Sequence, residues 1–178
     1  WFFDKRIASL GAMADLGVHK TDLIYYLTGQ KIVKTSAVVA TLDKKFPEGT
    51  PITVDDNAFC IYTLESGAVG MMHVSWTNYG SEDNSTRLYC EGGVIRMYDH
   101  PKYSLIVEKR NGEVIPYELD LLTSNKEQTS GRRTSTGVID AFVNSIVTGT
   151  PPEISGESAM HAMKVIFANE RSAISGES

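Results

Sequence analysis

Three ionisable side chains follow one another closely near the start of the chain, in the stretch ADLGVHKTDLIYYLTG. Asp15 and His19 are four residues apart, and Asp22 comes three residues after His19. Side chains at these spacings share one face of a helix, so the three would form a polar edge on an otherwise apolar segment. A carboxylate beside an imidazole fixes the ring tautomer and stabilises the imidazolium, which is the equipment of a general acid and base.

The same residues allow two other interpretations. His19 can instead be a half-buried structural histidine whose ring is held by Asp15. One histidine and two carboxylates could also ligate a divalent ion, but nothing else clusters at metal-ligand spacing, so we predict no metal site. Gly17 weakens a helix and suits the close approach of another group. Spacing alone leaves the catalytic and the structural role of His19 open.

Hydrophobic periodicity predicts the elements that position this polar edge. Residues 12–28 carry apolar side chains at helical spacing, and Gly29 fits a C-terminal stop, so the edge is predicted to lie on a helix. Turns are predicted at Ser66-Gly67 and Asn111-Gly112. The other predicted elements are a region of consecutive strands over 32–121, a polar loop over 123–135 and helices within 136–149 and 157–173.

The order of a helix, consecutive strands and two helices favours an α+β domain with an open, predominantly antiparallel sheet and helices on one face. In the strand NAFCIYTL, Ala58, Cys60 and Tyr62 share one face and Phe59 and Ile61 share the other, so both faces are apolar. We expect the face without helices to form the interface of a homodimer or homotetramer. The alternative is that the domain's own helices and loops cover both faces.

Length, composition and charge narrow the class of protein. A chain with 42% hydrophobic and 22% charged residues is expected to form one globular domain over residues 1–178. Its net charge of −5 provides no basic surface for nucleic acid, and no apolar run is long enough to cross a membrane. The low cysteine count and the absence of a signal peptide favour the cytoplasm. Because the chain does not begin with Met, we expect it to be part of a longer protein.

Three blocks of sequence occur in a recognisable order. The first, WFFDKRIASLGAMADLGVHKTDLIYYLTG, contains W-x-x-D, a small-residue turn and D-x-G-x-H-x-x-D. The second, VDDNAFCIYTLESGAVGMMHVSWT, joins two strands at a Gly turn and ends in Ser-Trp. The third, DAFVNSIVTGTPPEISGESAMHAMKVIFANERSA, has Gly-x-Pro-Pro and Ser-Gly-Glu between two helices. Together they resemble the C-terminal, substrate-side domain of the Gfo/Idh/MocA family of NAD(P)-dependent oxidoreductases.

This resemblance implies roles for the polar edge. His19 matches the family histidine that accepts the proton of the substrate hydroxyl while hydride passes to the nicotinamide. Asp15 matches the aspartate that works with this histidine, and Asp22 matches a second acidic position near the substrate hydroxyls. The family also implies a sugar, inositol or related polyol as substrate.

The cofactor implied by the resemblance is NAD or NADP, bound by an N-terminal Rossmann domain. That domain also supplies the lysine of a Glu-Lys-Pro motif, and it is absent from this chain. Since the sequence contains no G-x-G-x-x-G turn, we expect the chain alone to bind no cofactor and to be inactive. The alternative is a non-catalytic assembly or ligand-binding module in which Asp15 and His19 are structural.

The loop WTNYGSEDN, residues 76–84, is a candidate wall of the substrate site. Its aromatic and polar groups suit the faces and hydroxyls of a sugar, and we predict that Asn78 and Tyr79 bind substrate. Trp76 is expected to be a core residue, and a plain polar loop is the alternative. Arg132-Arg133 could meet an acidic substrate or the cofactor phosphates, although exposed basic pairs are usually only solvated.

Overall fold

The computed structural model describes residues 1–118, 137–152 and 154–177, and these fall into two compact units. The first unit comprises Trp1–Tyr79 and Ser145–Ser178, and the second comprises Gly80–Asn144. Every strand pairing in the described residues is antiparallel, which confirms the predicted α+β class. The predicted loop over 123–135, with Arg132-Arg133, lies outside the described residues.

The α-helices of the described chain are α1 (Lys5–Ala8), α2 (Val18–Thr28), α3 (Val138–Thr148) and α4 (Gly156–Ser175). A π-helical segment, Met13–Gly17, runs directly into α2. The predicted helix over 12–28 is therefore confirmed, and its first turn is of the wider π type. Gly29 ends it as predicted, in the left-handed conformation with φ of 66°. None of the helices described is long and apolar enough to cross a membrane.

The first unit contains a three-stranded sheet in the order β1 (Ile32–Ala40), β2 (Asn57–Leu64) and β3 (Val69–Ser75). On the central strand, Ala58, Cys60 and Tyr62 are buried, whereas Phe59 is 43% and Ile61 57% exposed. This alternation confirms the predicted division of β2 into two apolar faces. We call the face that carries Phe59 and Ile61 the outer face.

The core of the first unit lies on the opposite, inner face. Tyr62 of β2, Met13 of the π-helical segment and Ile166 of α4 are fully buried members of one hydrophobic cluster. Burying a large apolar side chain contributes roughly 1.5–3 kcal/mol, so this cluster fixes both helical elements against the sheet. The π-helical segment, which carries Asp15, is thus anchored at Met13 by the core.

The second unit contains a separate four-stranded meander, in the order β4 (Thr86–Cys90), β5 (Gly93–Met97), β6 (Leu105–Lys109) and β7 (Val114–Tyr117). The turn predicted at Asn111-Gly112 joins β6 to β7, and Gly112 adopts a φ of 86° there. The predicted strand region is divided into two sheets because residues 76–85 follow β3 without pairing as a strand.

Asp56 holds the loop after β1 onto the start of β2. Its fully buried carboxylate accepts hydrogen bonds from the amides of Leu42, Asp43 and Lys44 and from the side chain of Asn57. Burial by itself raises the pKa of this carboxyl, but the four donated hydrogen bonds outweigh burial and lower the pKa from 3.8 to about 2.

This depressed pKa predicts acid sensitivity. A carboxyl whose pKa is lowered in the folded state stabilises the fold above its ordinary pKa, and that stabilisation is lost as the pH falls through about 2. We expect Asp56→Asn to lower the free energy of unfolding by about 2 kcal/mol at neutral pH and the difference to shrink below pH 4. Urea unfolding of both proteins at several pH values measures this. A difference that stays constant down to pH 2 would contradict the assignment.

Candidate functional site

All three residues of the predicted polar edge lie on the surface of the first unit. Asp15 belongs to the π-helical segment, His19 and Asp22 belong to α2, and each is exposed. His19 makes no hydrogen bond among the described residues. Its ring is therefore not the half-buried, internally bonded histidine of the structural interpretation, and it is accessible to a ligand.

Asp15 is hydrogen bonded to a tryptophan. The indole Nε1 of half-buried Trp76 donates to Asp15 Oδ2 at 3.0 Å. Within the described residues, the hydrogen bond between Asp15 and His19 that their spacing suggests is absent. The ideal α-helical alignment of residues four apart does not apply across a π-helical turn, which is wider. Oδ1 of Asp15 accepts no hydrogen bond from any residue that the structure describes, so one carboxylate oxygen is open to a ligand.

The start of the π-helical segment is tied to the residue before Asp56. The Asp55 carboxylate accepts hydrogen bonds from the amides of Gly11 at 2.7 Å and Met13 at 2.6 Å. Its backbone carbonyl accepts a third from the amide of Ala12 at 2.9 Å. A helix begins with amides that have no partner inside the helix, and Asp55 supplies those partners from a distant part of the chain.

Gly17 is required by the core. A Cβ at this buried position would lie 3.2 Å from the terminal methyl of Met72 and 3.4 Å from Cδ1 of Ile166. The close approach that the sequence predicted at Gly17 is therefore made by side chains of β3 and α4. The missing side chain at Gly17 lets the helix pack closely against the sheet, and Gly17 is not part of the exposed polar edge.

Tyr79, one of the two predicted substrate contacts, is the last residue of the first stretch of chain in the first unit. Its hydroxyl donates to Asp43 Oδ2 at 2.9 Å, and this hydrogen bond raises the pKa of the phenol. Lys44 Nζ lies 5.7 Å from the centroid of the Tyr79 ring and 5.8 Å from that of Phe3. Asn78, the other predicted contact, is exposed.

Trp76 links the surface around Tyr79 to Asp15. The centroid of its indole lies 5.3 Å from the Phe2 ring and 5.7 Å from the Phe3 ring. Phe3 in turn lies beneath the Lys44 ammonium, which also faces Tyr79. Three rings, those of Phe2, Phe3 and Trp76, thus form an aromatic cluster beside Asp15, which we call the aromatic patch. The Lys44 ammonium connects this patch to Tyr79. The sequence predicted Trp76 to be a core residue, but its side chain is half-buried and its indole N–H is hydrogen bonded to Asp15.

The polar edge does not line the cavity between β1 and α4. That cavity, of about 790 Å³, lies between the start of β1 and α4, and its lining includes neither Asp15 nor His19 nor Asp22. Its one histidine is His161, which packs against the ring of Tyr25 at 5.3 Å between centroids. In the described ranges, no group of three or more His, Cys, Asp and Glu side chains is arranged to hold a metal ion.

Sequence reasoning missed Asp55 and the pair Asp43 and Lys44. A signal for Asp55 exists, because an acidic pair directly before a buried strand is available to cap another element. Asp43 and Lys44 carry no such signal, since they belong to an ordinary polar loop and acquire their partners only through the tertiary fold.

The sequence matches one family model along more than half of its length. Residues 1–96 fit the GFO/IDH/MocA C-terminal domain. A curated relative, levoglucosan dehydrogenase from Pseudarthrobacter phenanthrenivorans, is 30% identical in an alignment 106 residues long that covers 48% of this chain and 26% of that protein.

Solved structures extend the likeness to the whole fold. An oxidoreductase domain protein from Kribbella flavida superposes with a TM-score of 0.79 at 23% identity, over 99% of this chain and 52% of that one. Levoglucosan dehydrogenase in complex with NADH and levoglucosan gives 0.75 at 21%, over 99% and 52%. Aldose-aldose oxidoreductase from Caulobacter crescentus with glycerol gives 0.74 at 22%, over 99% and 49%. The chain thus spans about half the length of these structures. With more than half of its residues matched by the family model, it belongs to the GFO/IDH/MocA family as a C-terminal domain.

Proposed function

We propose that this chain is the substrate-binding domain of an NAD(P)-dependent oxidoreductase that acts on a secondary alcohol of a sugar, inositol or related polyol. The observation that carries the proposal is the exposure of Asp15, His19 and Asp22, with Asp15 hydrogen bonded to Trp76 of the aromatic patch. Aromatic faces beside carboxylates and an imidazole suit a ligand with both apolar C–H faces and many hydroxyls.

His19 is the proposed proton acceptor. The bound nicotinamide would take the hydride from the substrate carbon, so the hydroxyl proton of the same carbon must be transferred to a base. An exposed imidazole without an internal hydrogen bond in the described residues can approach that hydroxyl and later release the proton to water. Asp15, with Oδ2 held by Trp76, keeps Oδ1 for the substrate or for the protonated ring.

The nucleotide is proposed to bind outside this chain. The sequence lacks the glycine-rich turn that seats a pyrophosphate at a helix N-terminus, so a Rossmann domain of the same protein would have to supply it. This chain spans about half the length of its structural relatives, which is consistent with a second domain of the Rossmann type in the same protein. NADH and levoglucosan in one relative, and glycerol in another, support a nicotinamide cofactor and a polyhydroxylated substrate for this protein.

A direct assay tests the proposal. The full-length protein is incubated with NAD or NADP and with a panel of sugars, inositols and linear polyols, and the absorbance of the reduced nicotinamide is followed. Reduction with at least one member of the panel supports the proposal. No reduction with either nucleotide across the panel would favour the alternative, a non-catalytic assembly or ligand-binding module.

We also propose that the outer face of the three-stranded sheet is a homodimer or homotetramer interface. Phe59 and Ile61 of β2 are flanked there by Val38 of β1 and Met71 of β3, which are 63% and 84% exposed. His73 stacks on the Phe59 ring of this face, with centroids 4.3 Å apart. A patch of this kind on a sheet is typical of an interaction surface.

Charge placed on the outer face should disrupt such an assembly. We expect Ile61→Lys to convert the oligomer of the full-length protein to monomers, because an ammonium group would be buried at the interface without a partner. Light scattering coupled to size-exclusion chromatography measures the mass. Ile174→Lys on α4, which packs against β1 from the inner side, is the control and should leave the mass unchanged. An unchanged oligomer in Ile61→Lys would exclude this face.

A further inference from the structure

Asp55 is a buried carboxylate to which the proposed reaction gives no task. Asp55 is 7% exposed, its carboxylate accepts hydrogen bonds from the amides of Gly11 and Met13, and its backbone carbonyl accepts one from the amide of Ala12. These residues are more than 40 positions away in sequence. A carboxylate at the start of a helical segment pairs with its unsatisfied amides and with the positive end of its dipole. Asp55 therefore fixes where the segment that carries Asp15 begins.

The backbones of Asp55 and Gly11 lie so close together that position 11 has no room for a side chain. A Cβ at position 11 would lie 1.9 Å from the carbonyl oxygen of Asp55, closer than any real contact, so only glycine allows the two backbones to meet. The Gly11 carbonyl accepts the amide of Asp15 at 3.0 Å. The backbone of Asp15 is thus connected to Asp55 through a single residue.

The side chain of Asp15 is attached to the same part of the chain by a second path. Trp76 donates its backbone amide to the carbonyl of Asp56 at 2.8 Å and its indole Nε1 to Asp15 Oδ2 at 3.0 Å. Asp55 and Asp56 are adjacent, so both paths start from one point before β2. Together they close a ring of hydrogen bonds that holds the backbone and the carboxylate of Asp15.

We propose that Asp55 and Trp76 are positioning residues for Asp15 in the proposed reaction. This inference rests on the proposed function, because it gives the ring of hydrogen bonds the task of aiming Oδ1 of Asp15. Without the Asp55 carboxylate, the start of the π-helical segment is released from β2 and Asp15 moves away from the indole. A misplacement of about 1 Å at a reacting group costs on the order of 10²-fold in rate, so even partial release reduces turnover.

The test uses Asp55→Asn in the full-length enzyme. The amide keeps one acceptor oxygen and directs an NH₂ group at a backbone amide, so one of the two side-chain bonds is lost. We expect kcat to fall about tenfold while KM changes less than about twofold. We also expect the indole N–H resonance of Trp76 in the NMR spectrum to shift. The unfolding transition is recorded for each variant.

Asp99→Asn is the matched control. Asp99 is also a largely buried carboxylate, it accepts hydrogen bonds from Arg87 and Arg96, and it lies in the second unit. We expect this variant to lose stability and to keep the kcat and the Trp76 resonance of the wild type. A merely structural role of Asp55 would make the two variants alike.

Trp76→Phe keeps an aromatic ring and removes the indole N–H donor, so it tests the second path if Asp55→Asn does not fold. A kcat equal to that of the wild type in Trp76→Phe, or in folded Asp55→Asn, would overturn the inference. If the wild type has no activity, the Trp76 resonance still decides. An unshifted resonance in Asp55→Asn contradicts the positioning of Asp15, and a shifted one supports it although the proposed function has failed.

Discussion

Replacing His19 by alanine in the full-length protein should lower turnover by roughly 10²-fold or more, with little change in the free energy of unfolding. The two effects separate because the His19 side chain is exposed and makes no hydrogen bond among the described residues. Its removal therefore deletes no side-chain hydrogen bond from the described part of the fold. A large loss of turnover without a loss of stability is typical of a residue that acts on the substrate.

The measurement is the steady-state rate of nicotinamide reduction with the substrate found in the panel, together with urea unfolding. His100→Ala is the control, since His100 is also exposed and lies in the second unit. We expect it to retain the turnover of the wild type. If His19→Ala and the wild type reduce the cofactor equally fast, the proton acceptor is another group.

The outcome also distinguishes two functions of the polar edge, general base catalysis and ligand binding. A general base contributes to the transition state, so its loss should reduce kcat rather than only raise KM. A residue that merely helps to bind a ligand should raise KM with kcat unchanged. The second result would favour a ligand-binding module with an exposed histidine in its site.

Local sequence signals were sufficient for the bounds of the helix that carries the site. Its apolar side chains recur at helical spacing, and Gly29 adopts the left-handed conformation that ends it. The two faces of β2 were predictable for the same reason, because side chains alternate along a strand. Each of these features depends on residues close together in the sequence.

The π-helical turn and the partner of Asp15 depend on residues far away. The turn begins where the Asp55 carboxylate accepts hydrogen bonds from the amides of Gly11 and Met13, which lie 44 and 42 residues before Asp55 in the sequence. The indole that binds Asp15 is 61 residues away. Spacing within the helix could place Asp15 and His19 on one edge, but it could not reveal a competing donor from the end of β3.

The buried amide of Asn169 joins α4 to the three-stranded sheet. Asn169 is fully buried, its Nδ2 donates to the hydroxyl of Tyr62 at 2.8 Å, and its Oδ1 accepts from Thr35 Oγ1 at 2.6 Å. The Tyr62 hydroxyl itself donates to the sulfur of Met72, a weak acceptor at 3.8 Å. Burial raises the pKa of the Tyr62 phenol well above its ordinary value, so this hydroxyl stays protonated and polar in the core. The three side chains connect α4 to β1 and β2.

Replacing Asn169 by leucine should lower the free energy of unfolding by about 3 kcal/mol, because the buried Thr35 hydroxyl loses its acceptor and the buried Tyr62 hydroxyl loses its amide donor. Urea unfolding measures this as a lower midpoint with an unchanged slope. Ser172→Ala, one turn along α4, is the control and removes only the bond that its Oγ accepts from the amide of Ala37 at 3.2 Å. We expect that variant to lose about 1 kcal/mol.

A double variant distinguishes lost hydrogen bonds from poor packing. Tyr62→Phe in the Asn169→Leu background removes one of the two hydroxyls that lost the Asn169 amide, so it should restore part of the lost stability, whereas Tyr62→Phe in the wild type should be destabilising. This reversal of sign follows only if the penalty comes from an unpaired polar group in the core. Equal destabilisation by Tyr62→Phe in both backgrounds would mean that α4 is held on the sheet by its apolar contacts alone.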